Sequence, residues 1–292
     1  MNILYILMFA VTFGLTTDCR AASFGVARVP SPVLNSVDFG RVFGGKDGSS
    51  LKRDRCGQVR ELEFIALPGT VFKILGEYKS GKTVTYRVET DEYPVVAGRR
   101  LYMDSRFLEL HSNAPQGRKP ELPPRERVLA ALLDSVGSPY IWGGNVQNGV
   151  PELSRYFYRT VNIAKSKGLT LAGLDCSGLL YQATNGWTPR NTEQLVRFGR
   201  PVAISGRGAE AVARLLEPLD LIVWNGHVLI VLDRERVIES RLECGVPGNG
   251  GVVTTPLLQR LNEIMRTRRA MDDWPTAGKK GNDFVVRRWY GL

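Results

Sequence analysis

The sequence predicts an α+β protein in which a small all-β barrel precedes a portion built from helices and strands. Three observations carry this expectation. Five short β-forming runs crowd into residues 57–110, a proline-rich stretch follows them, and Cys176 then opens an apolar helical segment. Five strands within about fifty residues suit a small barrel. The stretch 112–125, SNAPQGRKPELPPR, holds four prolines and few apolar residues, so it reads as a semi-rigid linker and the best boundary in the chain.

At the N-terminus, the apolar run 3–16 is too short to span a bilayer but suits the core of a secretory signal. Ala21, Ala22 and Ser23 supply the small residues of a cleavage site, although no Lys or Arg precedes the run. Asp18 stands before Cys19 where a lipoprotein needs a small residue. Export by a cleaved signal over residues 1–22 is therefore expected, with an uncleaved anchor as the lesser alternative.

The β-forming runs are 61–67, 69–75, 83–88, 100–103 and 107–110, with a hairpin turn at 78–82. Beyond the linker, Val128, Leu129, Ala131, Leu132 and Leu133 are spaced for a helix over 126–136. Gly137 ends it, and an extended segment through Tyr140 reaches a Gly143-Gly144 turn. Residues 145–173 carry no evident chemistry, with a helix expected over 156–166. A turn at 187–195 lets Asn191 or Thr192 cap a short helix and lets residues 190–192 line a cleft. Residues 219–224 and 227–232 form strands around Asn225-Gly226, a tight hairpin turn that sets His227 at the head of the second strand. A third strand at 237–240 and closing strands at 252–255 and 283–289 complete the chain.

The 292 residues are 43% hydrophobic and 23% charged, enough for a core and for one or two domains. A formal net charge of +10 suits an anionic partner. No compact basic stripe interleaves with aromatics, which argues against nucleic acid. Arg266, Arg268, Arg269, Lys279 and Lys280 read as a solvated face. The four cysteines lack metal-ligand spacing and there are only two histidines, so no zinc site is expected. Once a signal is removed, Cys56 can pair with Cys244 and leave Cys176 free, a pairing that spacing leaves open.

Cys176 follows Asp175, a good helix N-cap, and would lie in the first turn, where unpaired N–H groups and the helix dipole favour a thiolate. Most free cysteines are merely small buried hydrophobes, and the heptapeptide 174–180 leaves both readings open. Only His111 and His227 exist, and His111 sits at the linker edge, so an imidazole base for Cys176 must be His227. Glu239 would neighbour His227 and could accept from its far ring nitrogen. On spacing alone, an exposed strand carboxylate is the simpler reading of Glu239.

Five motifs in order carry a resemblance: Tyr140-Ile141-Trp142-Gly143-Gly144, Asp175-Cys176-Ser177-Gly178-Leu179, Pro189-Arg190-Asn191-Thr192-Glu193-Gln194, Leu219-Asp220-Leu221, and Gly226-His227-Val228-Leu229-Ile230-Val231. Over residues 126–292 the chain resembles the NlpC-type (NlpC and p-sixty) bacterial cell-wall cysteine peptidases. That resemblance implies a papain-like fold, Cys176 as nucleophile, His227 as general base and Tyr140 at the oxyanion site. It also implies Asp175, Ser177, Arg190, Asn191 and Thr192 as oxyanion or substrate-binding residues. Leu67-Pro68-Gly69-Thr70-Val71, Leu75-Gly76-Glu77-Tyr78 and Phe107-Leu108 make residues 23–111 resemble the small Src-homology-3-like barrels of bacterial envelope proteins.

Three departures stand out. Glu239 occupies the place where the family has a second histidine or another polar residue, with Ser240 a poorer candidate. Residues 145–171 form a long insertion expected to narrow or cover the cleft. Asn191-Thr192 stands where members acting on stem peptides with a free N-terminal alanine often have Asp-Ser or Asp-Ala, whose acid binds the amine, leaving that charge to the barrel if to anything. The resemblance implies an exported, periplasmic or envelope D,L-endopeptidase cutting peptidoglycan stem peptides between γ-D-glutamate and diaminopimelate, a monomer without metal or organic cofactor. The alternatives are a catalytically silent wall-binding protein, and an amidase or acyl transferase on the same fold.

Overall fold

The computed structural model describes residues 23–81, 83–95, 98–159, 168–246, 249–275 and 281–291. The expected signal, Lys279, Lys280 and part of the 156–166 helix lie outside the described residues.

The N-terminal half is a seven-stranded antiparallel sheet. Its order is Leu62–Ala66, Ser31–Leu34, Leu101–Asp104, Thr83–Glu89, Val71–Ser80, Phe24–Ala27, Leu108–His111. All five runs read from the sequence are strands. Two were missed, because Phe24–Ala27 and Ser31–Leu34 are four residues each and carry Gly25 and Pro32, both poor strand signals. Every strand contributes to one core that includes Leu34, Phe64, Phe72, Val88, Met103 and Leu108.

The C-terminal half mixes helices with a second sheet, ordered Arg200–Pro201, Asp283–Arg288, Leu221–Trp224, His227–Val231, Arg236–Leu242, Gly250–Pro256. Leu221–Trp224 and Val228–Val231 are continuous apolar runs rather than alternating, as a sheet covered on both faces requires. Leu221, Val223, Val228 and Ile230 pack with Val128 and Leu132 of helix Arg125–Asp134 and with Leu179 and Leu180 of helix Cys176–Ala183. Ile222, Trp224, Leu229 and Val231 pack instead with Val212 of helix Ala209–Leu215 and with Leu257, Leu261 and Ile264 of helix Leu257–Met265.

The two halves share covalent and polar ties. Cys56 and Cys244 form the disulfide, and Cys176 is free and buried. Asn145 donates to the Ile65 carbonyl (2.8 Å) and accepts from the Ile65 N–H (2.9 Å), so one side chain stands in for a strand neighbour. Within 112–125, Arg118 donates to Glu92 (2.9 Å) and to the Asn185 carbonyl, pinning the linker to both halves.

The expectation that 145–171 narrows or covers the cleft does not hold for the described residues, none of which lines it. The described part of that segment turns the other way: Val150, Leu153, Tyr158 and Leu171 join the core of the N-terminal sheet. Phe157 packs on Phe39 and Phe43, and the Arg106 guanidinium lies over the Tyr156 and Phe157 rings. Apolar burial there outweighs any role over the polar cleft.

Close approach fixes one glycine in the nucleophile helix. A Cβ at Gly178 would meet the Gly144 carbonyl oxygen at 2.0 Å and Asn145 Cβ at 3.0 Å. Alanine normally favours a helix over glycine by about 1 kcal/mol. Gly178→Ala is nonetheless expected to destabilise by about 1–3 kcal/mol through overpacking. A thermal melt reads this directly, and an unchanged or higher Tm would show that the Gly144 turn yields.

Candidate active site

The site begins at the helix Cys176–Ala183. Asp175 is in extended conformation and caps it, its Oδ1 accepting from the Gly178 N–H at 2.6 Å. That cap sets Cys176 in the first turn of the helix. The side chain is 7% exposed, and its thiol approaches the Gly226 carbonyl at 3.9 Å.

His227 arrives from the hairpin. Trp224 and His227 are cross-strand partners around Asn225-Gly226, and Gly226 takes the positive φ (102°) such a turn requires. The turn is tied down by the Gly226 N–H donating to Thr192 Oγ1 at 2.9 Å. On its far edge the imidazole Nε2 lies 2.6 Å from Glu239 Oε2. Burial opposes the imidazolium, but hydrogen bonds with Cys176 and Glu239 outweigh it and push the His227 pKa up to about 9.

Glu239 is fully buried, so the exposed-carboxylate reading is corrected. Alternation along Arg236–Leu242 sends Glu239 to the same sheet face as Val237, while Ser240 points the other way and donates to the Leu174 carbonyl (2.7 Å). Ser240 is thereby excluded as partner of His227. Arg260, from helix Leu257–Met265, clamps Glu239 through Nε to Oε1 (2.7 Å) and Nη2 to Oε2 (3.0 Å). Burial would raise the Glu239 pKa, yet hydrogen bonds from His227 and Arg260 hold it at about 2. Sequence reading missed Arg260, although Leu257, Leu261 and Ile264 at i, i+4 and i+7 mark its helix.

The other expected residues divide. Tyr140, Asp175, Cys176, Ser177, Asn191 and Thr192 line a cleft of about 420 Å³, together with Glu63, Tyr93 and Arg99 from the N-terminal half. Those last three were not foreseen, since only the tertiary fold lays the first sheet against the nucleophile. Burial, then the charge of Asp175, drives the Tyr140 phenol well above its ordinary pKa, so it stays a donor at neutral pH. A larger cavity of about 490 Å³ lies against Pro139, Gln58 and Asn249 but reaches neither Cys176 nor His227.

Arg190 is corrected: it does not line the cleft and is 1% exposed. Its guanidinium holds Asp175 through two bonds (3.0 and 2.7 Å), Asn145 Oδ1 (3.0 Å) and Ser177 Oγ (2.9 Å). Arg190 therefore positions the cap of the nucleophile helix, and Asp175 and Ser177 spend their polar atoms on that network. Arg190→Met leaves Asp175 as a nearly buried charge without its partner, an expected loss of about 3–5 kcal/mol in denaturant unfolding. A loss below about 1 kcal/mol, the range of a surface pair, would contradict this burial. Among the described residues no group of three or more His, Cys, Asp or Glu side chains could hold a metal ion.

No protein-family model matches the sequence, and no curated protein matches it. Solved structures similar to this chain include the P60 domain of an antigen from M. avium subspecies paratuberculosis, at 19% identity over 56% of this chain and 93% of that one, with a TM-score of 0.32. A protein from Bacillus cereus ATCC 10987 is 16% identical over 92% of this chain and 63% of that one, with a TM-score of 0.33. RipD from Mycobacterium tuberculosis is 19% identical over 56% of this chain and 95% of that one, with a TM-score of 0.32. All three are described as NlpC/P60 or P60 proteins. RipD is described as non-catalytic and adapted to peptidoglycan binding.

Proposed function

We propose that this chain is an exported peptidoglycan D,L-endopeptidase of the NlpC/P60 type. In this reading residues 1–22 are a signal, 23–111 a Src-homology-3-like barrel, 112–125 a linker and 126–292 a papain-like catalytic domain. One observation carries it: His227 lies between a helix-opening Cys176 and a buried, ionised Glu239. A nucleophile, a base and a group orienting that base are the parts that acyl transfer needs.

In the mechanism the Cys176 thiolate attacks the γ-D-glutamyl carbonyl, and the C–N bond breaks as the His227 imidazolium protonates the leaving amine of diaminopimelate. The Cys176 backbone N–H and the protonated Tyr140 phenol stabilise the oxyanion. His227, now neutral, takes a proton from water, whose oxygen attacks the thioester; the C–S bond breaks, releasing the acid product and restoring the Cys176 thiolate beside the His227 imidazolium. Glu239 stays ionised throughout and holds the ring's tautomer. The acid absent at Asn191-Thr192 has a counterpart in Glu193, which lines the same cleft, whereas Glu63 there is already held by Arg99, Tyr93 and Asn35. A free stem-peptide amine is the natural partner for such a charge.

The test is mass spectrometry of stem peptides incubated with the purified protein beside Cys176→Ala. A new diaminopimelate amine that depends on Cys176 is expected. Intact peptides in both samples, with the protein folded and peptide bound, would replace the peptidase by a binding protein. Release at a different bond would point to the amidase or transferase.

A further inference from the structure

We propose that Arg268, stacked on Trp224 beside His227, is a binding site for a carboxylate on the leaving-group side of the cleft. It would select substrates whose residue after the scissile bond carries a free carboxylate; this deepens, and rests on, the endopeptidase reading above.

The Arg268 Cζ lies 4.2 Å from the centroid of the Trp224 ring, and that ring is centred 5.2 Å from the His227 imidazole. Trp224 and His227 face each other across the hairpin on the sheet side covered by helix Leu257–Met265, whereas the Cys176 helix packs on the other side. Trp224 and Arg268 therefore extend the site outward from the His227 ring, on the sheet face opposite the Cys176 helix. His227 is the group that hands its proton to the departing amine.

The charge state of Arg268 is the second point. The buried arginines of this half each hold a carboxylate: Arg190 with Asp175, Arg287 with Asp273 and the more exposed Arg288 with Asp220. Around His227, Arg260 and Arg241 are taken up by Glu239, Glu263 and Glu243, and Arg269 by Asp283. Arg268 is half-buried and has no acidic partner among the described residues. Burial pushes its guanidinium down with no offsetting carboxylate. An indole-stacked guanidinium presents its N–H edges in one plane, which suits bidentate carboxylate recognition and which a lysine cannot reproduce. Arg266, two residues earlier, is exposed and makes no such stack, so it serves as a control of equal charge.

The experiment measures binding rather than turnover. Calorimetry in the Cys176→Ala background compares the tripeptide L-alanyl-γ-D-glutamyl-diaminopimelate with the same peptide carrying both diaminopimelate carboxylates as amides. The free acid is expected to bind about tenfold tighter, the amount a charged, desolvated pair commonly supplies. Arg268→Met, which keeps the stem on Trp224, should erase the difference, Arg268→Lys should retain part of it, and Arg266→Gln should leave it whole. Equal binding of the two peptides overturns the proposal, as does a preference that survives Arg268→Met or that Arg266→Gln removes equally. Absence of binding by either peptide overturns it as well. A melting curve for each variant separates misfolding from loss of contact, and the lysine variant carries the test if the methionine variant does not fold. An Arg268-dependent preference in a protein whose Cys176-containing form cleaves nothing would remove the endopeptidase reading while leaving this site standing.

Discussion

His227→Gln is expected to lower kcat/KM on a stem-peptide substrate by about 10³- to 10⁶-fold, the range seen when one member of a nucleophile–base unit is removed. Glutamine can occupy the space and accept or donate a hydrogen bond, but it cannot shuttle a proton. The wild-type pH profile carries the same chemistry. The His227 pKa is raised to about 9 by its hydrogen bonds to Cys176 and Glu239, acting against burial. The group is raised, so its stabilising contribution is complete below the ordinary value near 6.5 and disappears as pH climbs through about 9. The imidazolium needed by the leaving amine is lost over that window, so kcat/KM should fall on the alkaline side near pH 9. The two partners titrate as a pair, and the profile reports the pair's apparent value. A limb near pH 6.5 would mean the imidazole is not coupled to Cys176 and Glu239.

Removing the orienting carboxylate gives the second large effect. In Glu239→Gln the imidazole loses a charged acceptor at 2.6 Å, and its pKa should fall toward the ordinary value near 6.5. At pH 8 the protonated fraction then drops, though not completely because the Cys176 hydrogen bond remains, and the expected rate loss shrinks at pH 6. Arg260→Met separates a positioning role from a purely structural one. Glu239 is now held at about 2 with the help of Arg260, so its stabilising contribution is present above 4.5 and lost only as pH falls through about 2. Without Arg260, burial of Glu239 is less opposed and its carboxyl rises. Activity should then fail on the acid side at a higher pH, with the alkaline limb moved less than in Glu239→Gln. Superimposable acid limbs for Arg260→Met and wild type would leave Arg260 no part in tuning the carboxylate.

Much of this site was legible because its signals are local. Asp175 ahead of Cys176 and the apolar run after it mark a capped helix whatever surrounds them. Asn225-Gly226 between two runs of β-formers marks the hairpin that carries His227. Glu239 was half legible: its interval from His227 allowed a contact, but an exposed carboxylate at the same position has the same sequence. Arg190 misled, since an arginine after a turn reads as surface. Its burial comes from Asp175, Ser177 and Asn145, 15, 13 and 45 residues away in the chain.

The sequence by itself determined five strands of the first sheet, the capped Cys176 helix, the hairpin that carries His227, the only imidazole besides His111, and the mixed helix-and-strand character of the chain. Periodicity, capping and turn chemistry act within a few residues and are written in every such segment. Tertiary structure alone decided that Cys56 meets Cys244, that Arg260 clamps Glu239, that Glu63 and Arg99 line the cleft, and that Val150, Leu153, Tyr158 and Leu171 join the core of the first sheet. Each of those depends on groups tens of residues apart competing for burial and charge partners. A buried carboxylate takes whichever cation the packing brings within reach, and a phenylalanine such as Phe157 takes whichever apolar surface is nearest.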